Sequence, residues 1–229
     1  MLYLFDIDGT LLWTGGAGAI TLEAVFHRHF GVLGAMAGVS AGGKTDPMII
    51  DEMFVGALGR RGTNDEIAVV LADYEAALPA ELERAPRFRT LPHVESVLGT
   101  LHVDARVTLA IATGNSEAGA QAKLERAALT EFFVCGGYGS DSADRGELVA
   151  KAIDRAEAHA GRGFDRKNVV VVGDTPRDIT AARACGVRVV AVATGHPSKD
   201  ELAAERPDAV IDELDGLLAW HAAHCAAAR

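Results

Sequence analysis

The sequence predicts an α/β protein: a parallel sheet covered by helices on both faces, with an all-helical segment inserted after the first strand. Three observations carry this. Short apolar runs rich in β-branched residues recur along the chain, helical patterns separate the later ones, and residues 16–88 hold helical patterns with no convincing strand. At 229 residues, 49% hydrophobic and 24% charged, the chain has the length and composition to bury a core, which excludes a disordered or low-complexity polypeptide.

Leu2–Phe5 reads as the first buried strand. Helices are then expected over Ala19–Phe30, Pro47–Leu58 and Asn64–Leu78. Asp46 before Pro47 has the form of a cap followed by a first-turn proline, and Thr63 with Glu66 has capping-box spacing. Strands follow at Val107–Ala112, Val169–Val172 and Val187–Val192, with a weaker one at Ala209–Ile211. Helices are expected between them at Ser116–Ala128, Asp144–Ala160 and Pro176–Ala184. Asp144 and Glu147 offer another capping box, and Gly186 after Cys185 a helix stop. The alanine-rich end with Trp220 reads as a terminal helix packed on the core. The expected division is residues 1–15 and 89–229 as one unit and 16–88 as the insert.

Twenty-two basic against thirty-two acidic side chains leave a formal net charge of −10, which repels nucleic acid and anionic membrane surfaces. No apolar run approaches the ~20 residues that span a bilayer, and the first strand has no basic flank before it, so a cytoplasmic protein is expected. Cys135, Cys185 and Cys225 are scattered and odd in number, which argues against a disulfide framework or a zinc site.

Chemistry gathers where strands end. Leu2–Phe5 runs into Asp6-Ile7-Asp8-Gly9-Thr10, Val107–Ala112 into Thr113-Gly114-Asn115, and Val169–Val172 into Gly173-Asp174-Thr175 with Asp178 beyond. Neighbouring parallel strands lie about 4.8 Å apart, so these groups converge at one edge of the sheet. Two carboxylates at 4 Å repel by about 4 kcal/mol at an effective dielectric near 20, and a divalent cation removes that repulsion. An all-oxygen donor set suits magnesium better than zinc or copper. Thr113, Asn115 and nearby backbone amides are potential donors to a phosphate, and Gly114 permits close approach.

These three clusters, in this order and each behind a strand, resemble the first, second and fourth motifs of the haloacid dehalogenase-like superfamily. The helical segment before Leu91-Pro92-His93-Val94 is similar to the cap of its phosphoglycolate-phosphatase-like branch. The resemblance implies a Rossmann-like three-layer core with an inserted all-helical cap domain, and magnesium-dependent hydrolysis of a small phosphorylated metabolite. It makes Asp6 the nucleophile and Asp8 the general acid and base. Asp6, Asp174, Asp178 and the backbone carbonyl of Asp8 become the metal ligands, and Thr113, Gly114 and Asn115 the phosphate ligands. One motif departs. The family places a lysine at the start of the helix before the fourth motif, where this chain has Asp144-Arg145-Gly146-Glu147. Arg145 is the candidate for that role, Lys151 its competitor, and a surface pairing of Arg145 with Asp141 or Asp144 the alternative.

A phosphomutase using the same intermediate stays open at this stage, as does a non-catalytic phosphate-binding regulatory module. A phosphonate hydrolase would need a cap lysine, and Lys44 is the only lysine there. Lys44, Thr45 and Asp46 are candidates for reaching substrate or simply loop residues. Trp13 walls the site or anchors the hinge.

Overall fold

The computed structural model describes residues 1–226, with side chains as far as His224; the side chain of Cys225 lies outside the described residues. In chain order the elements are β1 (Leu2–Phe5), β2 (Leu12–Trp13), α1 (Ala17–Phe30), α2 (Asp46–Leu58), α3 (Asn64–Arg84), β3 (Arg89–Thr90), α4 (Val94–His102), β4 (Thr108–Ala112) and α5 (Glu117–Arg126). They continue as β5 (Gly136–Gly137), α6 (Arg145–Ala160), β6 (Val169–Gly173), α7 (Pro176–Ala184), β7 (Arg188–Val192), α8 (Lys199–Ala204), β8 (Ala209–Ile211) and α9 (Gly216–Ala226).

Strands β1 and β6 are buried at every residue because helices cover both faces, which is why they read as unbroken apolar runs rather than as alternation. The six-stranded sheet has the order β5-β4-β1-β6-β7-β8, all pairs parallel. Tyr3, Phe5, Ile111, Val170 and Val172 pack on one side with Val97 and Leu101 of α4, Leu124 of α5, and Leu217 and Trp220 of α9. Leu2, Leu4, Ala110 and Val171 pack on the other with Leu148 and Ile153 of α6, Ile179 of α7 and Leu202 of α8. Each such fully buried Leu or Phe contributes roughly 1.5–3 kcal/mol against leaving it exposed.

The insert is entirely helical. Phe26, Ile50, Phe54, Val70, Leu78 and Leu82 form its own apolar cluster. Thr63 and Glu66 form the expected capping box. Helix α3 runs through Pro79 to Arg84, beyond the expected end at Leu78, because the extra turn places Leu82 four residues after Leu78 on the same buried face. Asp46 does not cap α2: Thr45 is the capping residue, with no side-chain cap bond, and the Asp46 carboxylate is engaged elsewhere. At α6 the Asp144 side chain caps the Gly146 and Glu147 amides, while Glu147 turns to Ser142 instead of completing the box. Helices α4 and α8, strand β5 and the antiparallel pair β2–β3, in which Leu12 faces Thr90 and Trp13 faces Arg89, had no counterpart in the sequence reading. That ribbon joins the two ends of the insert. No described helix is long and apolar enough to cross a membrane.

Candidate active site

The sheet order makes β4, β1 and β6 neighbours, and their register sets the height of every group that follows. Phe5 stands level with Ile111 on one side and Val172 on the other, so the loops after the three strands start at the same edge. The Asp6 amide still donates to the Val172 carbonyl at 2.9 Å, which fixes Asp6 at the strand end. The chain then turns: the amides of Leu11 and Leu12 donate to the Ile7 carbonyl at 2.8 and 3.1 Å, and Gly9 has φ +80°. Glycine is needed there twice over, since a Cβ would also fall 2.7 Å from the Asp174 carboxyl carbon.

The turn sends the two carboxylates of Asp6 and Asp8 apart. Asp6 joins Asp174 and Asp178, all three buried, with one carboxylate oxygen from each lying within 4.8 Å of the others. Burial drives the Asp6 carboxyl above its ordinary value, with Asp178 adding to the rise and Arg145 and the Thr113 hydroxyl opposing it. Asp174 is raised further, again chiefly by burial and then by Asp6 and Asp178, while the Thr10 hydroxyl donates to it at 3.3 Å. Asp178 is held by its own helix start, accepting from the Thr175 amide at 3.0 Å and hydroxyl at 2.7 Å.

Arg145 occupies this cluster and Lys151 does not. From the first turn of α6 its guanidinium pairs with Asp178, reaches Asp6 at 3.6 Å and donates to the Gly43 carbonyl at 3.3 Å, and its buried Nε has no hydrogen-bond partner among the described residues. Lys151 is exposed, and Arg155 takes the Asp141 pairing that was the surface alternative for Arg145.

Asp8 faces a different set. Its carboxylate accepts from Asn115 Nδ2 at 2.8 Å and from Lys123 Nζ at 2.7 Å, and Lys123 also donates to Asn115 Oδ1 at 2.5 Å. The Asp8 side chain therefore lies outside the acidic triad, so a place for Asp8 around a cation rests on its backbone carbonyl alone. Asn115 also donates to the Thr113 hydroxyl at 2.8 Å, joining the second motif to the first. Lys123 was missed in the sequence. It lies on the stripe formed by Ala120, Leu124 and Ala127 and is 4% exposed, a lysine on the otherwise apolar buried face of α5.

The insert closes over these groups. A Cβ on Gly114 would fall 2.9 Å from the Lys44 carbonyl carbon, so the close approach that glycine allows is to the insert's loop, not only to a ligand. The Asp46 amide donates to the Gly114 carbonyl at 2.9 Å, and the Asp46 carboxylate accepts from the Ser116 amide at 2.8 Å. Lys44 pairs with Glu52 at 2.6 Å. Trp13 lines the cavity and sits in the β2–β3 ribbon. That cavity, about 300 Å³, also reaches Asp6, Asp8, Thr113, Gly114, Asn115, Lys123, Arg145 and Asp174.

Burial pushes the Asp46 carboxyl up to about 6; Lys123 and the Ser116 amide pull it down, and Asp8 and Glu75 add to the rise. A carboxyl raised on folding contributes stability that is complete below its unfolded value near 4 and is lost as pH climbs through about 6. About two pH units correspond to on the order of 3 kcal/mol. Asp46→Asn keeps an acceptor oxygen without the charge, so its Tm relative to the unaltered chain should climb between pH 4 and 7. A difference that stays flat over that range would contradict the account.

A family model described as haloacid dehalogenase-like hydrolase matches residues 3–192. The protein named Probable phosphatase IndB from Dickeya dadantii is 26% identical over 216 residues, covering 92% of this chain and 89% of its own length. The phosphoglycolate phosphatase of Pseudomonas savastanoi pv. phaseolicola is 26% identical over 220 residues, covering 95% of this chain and 78% of its own. Among solved structures, CbbY from Rhodobacter sphaeroides in complex with phosphate superimposes with a TM-score of 0.71 at 17% identity, covering 93% of each chain, a likeness of fold. With the family match spanning most of the chain and the sheet order placing its motifs at one edge, the chain belongs to the haloacid dehalogenase-like hydrolase family.

Proposed function

We propose that the chain is a magnesium-dependent phosphatase that hydrolyses a small-molecule phosphomonoester through an aspartyl-phosphate on Asp6. The observation that carries this reading is a buried carboxylate triad beside a buried guanidinium whose Nε is left without a partner. The triad suits a hard divalent cation: its donors are all oxygen, and burial first, then the neighbouring carboxylates, raise both Asp6 and Asp174, a cost that a cation between them would relieve. Asp6, Asp174, Asp178 and the backbone carbonyl of Asp8 would hold the ion. When bound, magnesium supplies charge neutralisation between the carboxylates and the phosphate oxygens.

The chain's own groups account for the rest. Arg145, Thr113, Asn115 and the amide of Gly114 hold the phosphate oxygens, with the free Nε of Arg145 among the donors. An Asp6 carboxylate oxygen bonds to phosphorus as the ester oxygen departs, and Asp8 gives that oxygen its proton. Asp8 then takes a proton from the water that attacks the aspartyl-phosphate, releasing inorganic phosphate and restoring Asp6. Lys123 and Asn115 fix the direction of the Asp8 carboxyl for both transfers. The division into a core of residues 1–15 and 89–229 and a cap of 16–88, opening to admit the ester, belongs to the same reading. The names of the curated relatives, all for phosphate-ester or pyrophosphate hydrolysis, support the class of reaction.

The test is release of inorganic phosphate from 4-nitrophenyl phosphate in the presence of magnesium. Release should fall to background in EDTA and return when magnesium is restored. A folded protein that releases no phosphate from a broad ester panel overturns the reading, and turnover that survives EDTA overturns its metal dependence.

A further inference from the structure

The same cavity has a second chemical character, on which the identity of the alcohol depends; the inference rests on the phosphatase reading. Its core side carries the phosphate groups, so the remainder of the ester must lie against what the insert and the hinge contribute. Those walls are Leu22, Met36, Ile49 and Tyr74 of the insert, with Trp13 at the hinge. They are apolar or aromatic.

Every buried or half-buried cationic side chain of the wall already has a carboxylate. Arg145 pairs with Asp178 and reaches Asp6, Lys123 pairs with Asp8, and Lys44 pairs with Glu52. The insert adds a buried carboxylate of its own, Asp46, which accepts from the Ser116 amide. His196 lines the cavity from an exposed position, its ring edge-on to Trp13 at 5.1 Å, where water screens any charge it carries. A second anionic group on the substrate would thus be desolvated without a free counter-charge, and the Asp46 carboxylate would face it. A cationic alcohol would meet Lys44 and Lys123; Asp8 is paired with Lys123, and the Asp46 carboxylate already feels the Lys123 ammonium and accepts from the Ser116 amide.

On the insert and hinge side two hydroxyls are free among the described residues, those of Thr14, buried at the hinge, and Tyr74. Tyr74 is 1% exposed, its hydroxyl makes no hydrogen bond to any described residue, and it borders the cavity. Burial drives its pKa upward, so it stays a neutral hydroxyl. A neutral hydroxyl meets an ether, hydroxyl or carbonyl oxygen without needing charge compensation.

We propose that the phosphoester hydrolysed here carries an uncharged, mainly apolar alcohol, its few polar oxygens placed at Tyr74 and Thr14, and not a carboxylate, a second phosphate or an amine. The cavity volume of about 300 Å³ sits at the small end of ligand pockets, which restricts the alcohol to a small molecule. The proposal separates this chain from the reaction printed in the names of several relatives, whose alcohol bears a carboxylate.

The test uses the full chain with magnesium and measures kcat/KM for phenyl phosphate, 2-phosphoglycolate and phosphoethanolamine by phosphate release. Phenyl phosphate should exceed each of the others by at least about tenfold, one step on the scale that ~1.4 kcal/mol of discrimination gives. Equal or greater turnover of 2-phosphoglycolate or phosphoethanolamine overturns the proposal while leaving the phosphatase reading intact; failure to release phosphate from all three, with other esters also inert, removes both. Met36→Lys, at a half-buried position and made together with Glu23→Gln because the Glu23 carboxylate accepts from the Met36 amide at 2.8 Å, introduces an ammonium without a neighbouring carboxylate and should shift the ratio of 2-phosphoglycolate to phenyl phosphate at least tenfold toward the carboxylate. An unchanged ratio in the folded double variant counts against the proposal. If that variant does not fold, the substrate ratios of the unaltered chain decide.

Discussion

Asp6→Asn should lower phosphate release by about 10⁴-fold or more while the protein melts at the same temperature or higher. The first half follows from chemistry: a carboxylate oxygen forms the bond to phosphorus, a neutral amide is a far weaker nucleophile, and losses of this size accompany removal of a nucleophile elsewhere. The second half follows from the raised carboxyl of Asp6. In the absence of a cation, Asp6 adds negative charge to a buried cluster that already holds Asp174 and Asp178, and neutralising it relieves repulsion as well as the burial of an ion. Steady-state phosphate release and thermal melts in magnesium-free buffer check both halves. Residual turnover within tenfold of the unaltered chain would remove Asp6 from the reaction; a large fall in Tm would show that the side chain is needed for folding.

Lys123→Met should lower kcat by about 10²–10³-fold with little change in KM, and should destabilise the protein by about 3–5 kcal/mol at pH 8. Methionine keeps the unbranched stem in the apolar stripe with Ala120 and Leu124, so the substitution removes the charge more than the packing. Asp8 then loses one of its two anchors, and misdirected proton transfer affects the chemical step more than binding. Asp46 loses the cation that holds its carboxyl down, and a buried charge stripped of its partner is destabilising by the amount given. Because Asp46 takes up a proton in acid, the loss of Tm should shrink between pH 8 and pH 5. Lys123→Arg keeps the charge and should recover much of the stability and less of kcat, since its fork differs in shape from an ammonium. Equal kcat in Lys123→Met and the unaltered chain would make the lysine a structural element only.

The contrast between Lys123 and Arg145 shows what could be read in advance. Arg145 stands at a helix start before a Gly-Asp strand end, where a family lysine is expected, so spacing along the chain found it. Lys123 lies two turns inside a helix, and what marks it is a lone lysine on a buried stripe, a signal of burial that one sequence carries only weakly. Asp46 misled for a related reason. Asp-Pro is a sound helix-start pattern, yet the carboxylate is used across the fold on the Ser116 amide, a contact 70 residues away in sequence. The long strands were legible because β-branched runs such as Val169–Val172 are buried on both faces. By contrast β5, Gly136–Gly137, carries no side chain to report it, and α4 was overlooked although Val94, Val97, Leu98 and Leu101 hold helical spacing. The acidic triad was recoverable from the strand ends alone, because the register of three adjacent strands does the gathering.

The β2–β3 ribbon has a consequence for how such a molecule can be altered. Entry to and exit from the insert lie opposite each other as Leu12 against Thr90 and Trp13 against Arg89, so the seventy or so residues between them behave like a long hairpin loop. Their apolar cluster is separate from the two that flank the sheet. The insert can therefore be exchanged for another at this seam without changing any of the parallel ladders, so that one sheet edge can stand beneath different coverings.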